Sequence, residues 1–334
     1  VNRLVHDDLR GPLFPLGGWH VAIGFPIRSS SRLADDPAYG DVVSDVSVPR
    51  RKVLITGATD GLGRALALRL AEDPSADLLL HGRDRSRIES VAALVADRSG
   101  RAAPAVFVCD LSELAQVTRL ASEVATEVDG LDVLVNNAGV GFGDRGEQIR
   151  ETSIDGHELR FAVNHLAGFL LTLDLLASLR RAHGARVVFV ASLGQAVIDL
   201  DDLMSEQHYD GVEAYRRSKL AQVMCANELA KRVAPDEVTF NSLHPATLMP
   251  TKIVTDIGLA PRDTVEDGVD ATLRLVDDPA LERRSGLFFD RHDLADPHPQ
   301  AGDPEICAEV FRRSLELVGR DMATVEPSTS EQRW

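Results

Sequence analysis

The stretch Lys52–Gly63, KVLITGATDGLG, limits what this chain can fold into more than any other. Val53 to Thr56 is a short apolar and β-branched run, the composition of a buried strand. It leads straight into a glycine-rich turn, and helical apolar spacing begins near Leu62. Gly57 lets the backbone leave the strand sharply. Gly61 and Gly63 carry no Cβ that would hold a diphosphate away from the first helical amides, and the helix dipole favours an anion there. Asp60 and Leu62 belong to the same turn and count with the three glycines as candidate cofactor contacts. The spacing is TGxxxGxG rather than GxGxxG, and a glycine triplet alone also fits an ordinary turn.

Later stretches supply the context. Asn136–Gly139 reads NNAG after an apolar run, Ser192 ends the run RVVFVA, and Tyr215–Lys219 reads YRRSK. In this order, with Thr56–Gly63, they resemble the short-chain dehydrogenase/reductase family over about Arg51 to Val318. The long connection from Ser192 to Tyr215 resembles the retinol-dehydrogenase-like branch. The resemblance implies an α/β fold, a doubly wound, mostly parallel sheet of about seven strands in a single Rossmann-like domain. It also implies an NAD(P)-dependent enzyme interconverting a carbonyl and an alcohol.

Composition agrees with one large α/β domain. The chain has 334 residues, of which 44% are apolar, enough for a sizeable core. A net charge of −16 argues against nucleic acid or an anionic membrane as partner. Cys109, Cys225 and Cys307 are far apart, without CxxC pairing, so neither a disulfide framework nor a metal site is expected. A reduced, cytoplasmic compartment fits. The apolar patch Trp19–Ile27 is too short and too broken by Gly24 and Pro26 to span a bilayer. Residues 1–49 read as a flexible extension, 50–323 as the catalytic domain and 324–334 as a polar tail.

The remaining strands are expected at Asp77–His81, Ala105–Cys109, Leu131–Val135, Arg186–Ala191, Val238–Leu243 and Gly286–Phe289. Ser86 and Glu89 have capping-box spacing for a helix through Ala96. Residues 152–183 read as one long helix with Leu166, Phe169, Leu170, Leu173 and Leu176 on a stripe of core or subunit interface. A homo-oligomer is expected from the family. The residue after the second strand meets the adenosine ribose in nucleotide folds, where an acidic side chain would suit NAD. Gly82 stands there, followed by Arg83, with Arg85 and Arg87 close by. A guanidinium pairs with a 2′-phosphate, so NADP is expected over NAD, although these arginines also suit a solvated helix start.

From the resemblance, Asp110 with Leu111 would contact adenine; Asp110 equally suits capping of the loop before Ser112. Asn136 would bridge neighbouring strands, while Asn137, Ala138 and Gly139 pass under the cofactor. Pro245 would precede a threonine holding the nicotinamide amide. Pro250 occupies the usual threonine place, leaving Thr247 or Thr251.

Tyr215 and Lys219 lie four apart, on one face of a helix. Tyr215 would be the acid in reduction and the base in oxidation. An unperturbed phenol of pKa ~10 needs a fall of about 3 units to serve as a base at neutrality. A positive charge about 4 Å away, at an effective dielectric of about 20, contributes ~4 kcal/mol, so Lys219 nearly suffices. Ser192 would hold the small-molecule substrate's oxygen, and Asn164, by resemblance, a water linking Lys219 to solvent. Two alternatives remain from the sequence: a non-catalytic NAD(P)-binding regulatory protein, and a nucleotide-sugar epimerase or lyase. The first would show altered catalytic residues, the second a large carboxyl-terminal substrate domain.

Overall fold

The computed structural model describes residues 50–143, 149–255 and 258–326, and the extension expected over 1–49 lies outside them. Eight strands form one sheet: β1 (Arg51–Ile55), β2 (Ala76–Gly82), β3 (Ala105–Val108), β4 (Val133–Asn136), β5 (Ala185–Val190), β6 (Val238–His244), β7 (Phe288–Asp290) and β8 (Asp293–Leu294). Their order is β3-β2-β1-β4-β5-β6-β7-β8. All pairings are parallel except that of β7 with β8. The direction of progression reverses between β1 and β4, which opens a crevice at the strands' carboxyl ends.

The helices are α1 (Gly61–Leu70), α2 (Arg85–Ser99), α3 (Leu114–Glu127), a π turn (Phe161–Leu166) running into α4 (Ala167–Asp174), α5 (Leu176–Ala182), α6 (Gly211–Arg232), α7 (Lys252–Thr255), α8 (Val265–Asp277) and α9 (Pro304–Leu317). Two large cores result, one on each face of the sheet. Leu66, Ile88, Val91 and Leu275 of α1, α2 and α8 pack on one face. Leu120, Leu170, Met224 and Phe311 of α3, α4, α6 and α9 pack on the other. The doubly wound, Rossmann-like single domain is therefore what the chain forms, with a short antiparallel edge strand added.

Several local expectations are corrected. The long helix does not begin at 152: Thr152 bridges Glu158 in antiparallel fashion, Gly156 has φ +84°, and winding starts with the π turn. Asp84, not Ser86, caps α2, its carboxylate accepting from the Arg87 amide at 3.0 Å. The stripe Leu166, Phe169, Leu170, Leu173 and Leu176 is buried within this chain, with Phe169 edge-on to Phe311 at 5.3 Å, so it is core. Packing continues beyond residue 323, because Val325 is fully buried and its carbonyl accepts from Arg180. Among the described residues no single helix is long and apolar enough to cross a membrane.

Candidate active site

A cavity of about 720 Å³ runs along the carboxyl ends of the strands. Its lining includes the residues expected at the glycine-rich turn (Gly57, Asp60, Gly61, Leu62, Gly63), at Arg83, Asp110 and Leu111, at Asn137, Ala138 and Gly139, at Pro245 and Thr247, and at Ser192, Tyr215 and Lys219. Asn164 stands behind this wall, in the π turn.

At one end, Asp60 caps α1 and accepts from the Gly61 amide at 2.8 Å. Helix geometry leaves the other amides of the first turn without intrahelical acceptors, open to an anion. Gly57 and Gly61 have φ of +66° and +49°, which only glycine adopts cheaply. Gly63 serves another purpose than the one expected. A Cβ there would lie 2.4 Å from the Gly57 carbonyl oxygen and 2.5 Å from Asn137 Nδ2, so this glycine closes the turn on itself.

His81, which the strand reading passed over, fixes the same turn. Its Nδ1 accepts from the Gly57 amide at 3.3 Å and its Nε2 bonds the Cys109 carbonyl at 3.1 Å, which sets the neutral Nε2–H tautomer. Burial pushes its pKa down to about 4. The signal was present in the sequence as one polar residue ending an apolar run.

At the adenosine end, Gly82 is buried against Thr59 and Ile88, where a Cβ would meet the Thr59 methyl at 2.4 Å. The arginines differ in engagement. Arg87 pairs with Asp60 at 2.9 Å and Arg85 with Glu89 at 3.2 Å, whereas Arg83 lines the cavity with no ion pair among the described residues. The Asp110 carboxylate accepts from both the amide (2.9 Å) and hydroxyl (2.8 Å) of Ser112, so the loop-capping role holds.

The asparagine pair exchanges roles relative to expectation. Asn137, not Asn136, ties β4 to β1: its side chain donates to the Thr56 carbonyl at 2.7 Å, and the Thr56 hydroxyl accepts from the Asn137 and Ala138 amides. Asn136 points to the other side and donates to Thr172 on α4 at 3.0 Å. Successive residues leaving a strand face opposite ways, and only 137 faces β1.

At the opposite end, α6 presents Tyr215 and Lys219 to the cavity. The Ser192 hydroxyl hydrogen-bonds the Tyr215 phenol. Phe142 stands edge-on to the Tyr215 ring at 4.6 Å, and Lys219 Nζ lies 5.7 Å from that ring's centroid. Lys219 Nζ also donates to the Val190 carbonyl at 2.8 Å and to Gln222 Oε1 at 3.0 Å. Asn164 meets Val140 through both its amide and carbonyl and donates to Ser218 at 3.0 Å.

Electrostatically the pair departs from the Coulomb argument. Burial pushes the Tyr215 phenol up to about 12, against the pull of the Ser192 hydrogen bond, and pushes Lys219 down to about 7. Desolvation penalises both charged forms and is the first cause of each shift. The protein alone therefore presents a protonated phenol. The threonine question also narrows in geometry: the Thr247 hydroxyl is bonded by His244 at 3.1 Å and Arg291 at 3.2 Å, while Thr251 packs on Gly61.

The chain is similar to known proteins over most of its length. A family model described as short chain dehydrogenase matches residues 51–261. Human retinol dehydrogenase 13 is 31% identical over 336 residues, covering 93% of this chain and 96% of that one. A Streptomyces sp. (strain C5) protein, named as a candidate daunorubicin C-13 ketoreductase (DnrU), is 36% identical over 289 residues, covering 81% and 94%. Among solved structures, a candidate short chain dehydrogenase from Escherichia coli CFT073 complexed with NADPH superposes with a TM-score of 0.60 at 26% identity, covering 74% of this chain and 98% of that one.

Proposed function

This chain belongs to the short-chain dehydrogenase family and is an NAD(P)-binding oxidoreductase acting on CH–OH or C=O groups. From that premise we propose that it reduces the ketone or aldehyde of a bulky apolar small molecule with NADPH, Tyr215 donating the proton. The observation that carries this reading is a convergence: Ser192, Tyr215 and Lys219 line the same cavity as the glycine turn and Arg83.

The residues present fit the cofactor. The cavity joins the glycine turn to Tyr215, and the two positive-φ glycines at the start of α1 leave room where a diphosphate would lie. When bound, the nicotinamide supplies the hydride. The chain's own residues do the rest. Ser192 donates to the substrate oxygen and orients it beside the phenol. Tyr215 releases its proton to that oxygen as negative charge builds there, a contribution of about 10²–10⁴ in rate. Lys219, as an ammonium, offsets the phenolate left behind and holds the ribose. Arg83, which has no carboxylate partner among the described residues, would take the 2′-phosphate, which favours NADP over NAD. Phe142, Val163, Leu193, Val212 and Ile253 give the cavity an apolar lining. Free, buried Cys109, Cys225 and Cys307 suit a reducing, cytoplasmic setting.

The relatives' names select the first compounds to test: retinal and anthracycline 13-ketones beside simple aryl and alkyl ketones. NADPH loss followed by absorbance at neutral pH should appear with at least one bulky apolar carbonyl and vanish in Tyr215→Phe. An absence of turnover across the panel, or an unaffected variant, would refute the proposal.

A further inference from the structure

Gln222 lies three residues beyond Lys219 on α6 and is 1% exposed; Lys219 is 4% exposed. An ammonium has three N–H donors and no acceptor. Two donors are used, toward the Val190 carbonyl at the end of β5 and toward Gln222 Oε1. Val190 contributes backbone that any residue would supply. Gln222 is the side chain chosen for the task. We propose that Gln222 is a positioning residue that keeps Lys219 as an ammonium and turns its third N–H toward Tyr215 and the cofactor face. This rests on the role given to Lys219 above.

The surroundings leave Gln222 that task alone. Among the described residues no carboxylate pairs with Lys219, and burial is what lowers its proton affinity. Tyr215 faces it from α6 itself. Uncharged groups face it from the other elements: the Val190 carbonyl from β5 and Gly139 from the chain after β4. In the π turn, Asn164 is neutral and its neighbour His165 turns away to Ser314 and Cys225. The ammonium's hydration is therefore replaced by two carbonyl dipoles, one from Gln222. The amide cannot be reversed without setting its NH₂ against the ammonium, so the lysine's charge and the glutamine's orientation fix each other. Gln222 also borders a void of about 10 Å³ shared with Asn136 and Asn164, room for one water at most. A methionine of similar length thus fits at 222 without overpacking.

The test is the charge state of Lys219 in the apo protein. With lysine ¹³C-labelled at Cε, the Lys219 resonance, assigned by its loss in Lys219→Met, is followed against pH. Gln222→Met should lower its titration midpoint by about one unit, and Gln222→Glu should raise it. A packing role would move both variants the same way. The pH profile of alcohol oxidation gives the second readout: Gln222→Met shifts its rise about one unit upward and costs about tenfold at pH 7. Unmoved midpoints, or midpoints moving in one direction in both folded variants, overturn the proposal. If Gln222→Met does not fold, Gln222→Leu, which also removes the carbonyl, decides by whether its midpoint falls. Because the resonance is read without cofactor or substrate, failure here is distinct from failure to find a carbonyl that is reduced.

Discussion

Asn164 and Val140 grip each other twice: the Val140 amide donates to Oδ1 at 2.7 Å, and Nδ2 donates to the Val140 carbonyl at 3.1 Å. The π turn is thereby tied to the NNAG segment and, through Ser218, to the helix carrying Tyr215. Replacing Asn164 by Ala leaves Val140's polar groups without these partners. A loss of about 2–3 kcal/mol is expected in urea unfolding. Turnover should fall further than this alone requires, since both sides of the site lose their common anchor. Wild-type stability in that variant would contradict the assignment.

Tyr215→Phe keeps the ring and its edge contact with Phe142 but removes the proton. Turnover should fall at least ~10²-fold while NADPH affinity, titrated by cofactor fluorescence, stays within about twofold. A comparable loss of binding would mean that the phenol serves the cofactor and not the substrate.

The arginines beside the adenosine end should separate. Arg83→Ala is expected to weaken NADPH by about tenfold and NADH little, as measured by equilibrium titration. Arg87→Ala should do less, because that guanidinium is held by Asp60. Equal losses for the two nucleotides in Arg83→Ala would overturn the preference for the 2′-phosphate.

Two buried histidines set the acid limit of stability. Burial pushes His81 down to about 4 and His165 down to about 3, from an ordinary value of 6.5. Between those values and 6.5 the unfolded chain binds protons that the native chain does not, so stability rises with pH across that window. It is complete above the unfolded pKa and is lost as the solution is acidified, by about 1.4 kcal/mol per pH unit for each histidine. Urea midpoints from pH 4.5 to 7 should show this slope, reduced by one histidine's share in His165→Phe. An unchanged slope would mean that His165 is not neutral in the native state.

The parts legible in the sequence were those written in repeating apolar patterns or in ordered motifs. Val53–Thr56, Arg186–Ala191 and Val238–Leu243 are uninterrupted enough to be strands in almost any context, and the Ser192, Tyr215, Lys219 order carried the family. What escaped was decided by single-residue geometry. Ile154 and Phe161 are seven apart, as on one helix face, yet Ile154 is 77% exposed on a turn that Gly156 makes possible. Asn136 and Asn137 are chemically identical, and only the strand's exit direction tells which one reaches Thr56. Composition could not foresee that desolvation would dominate the Tyr215 and Lys219 pair, because burial depends on how α6 lies against β5. At Gly82 it is the Thr59 methyl that leaves no room for a side chain, a contact between distant residues that the sequence does not display.

The π turn at Phe161–Leu166 winds wider than the α helix that continues it. Such a turn holds about one residue more than an α turn of the same sweep, so a homologue with one residue fewer could relax to ordinary winding with Phe169 still on Phe311. What could not be absorbed is a change at Asn164, whose two bonds to Val140 no neighbour on the turn can supply. The spelling of this stretch should therefore be inherited more faithfully than its length.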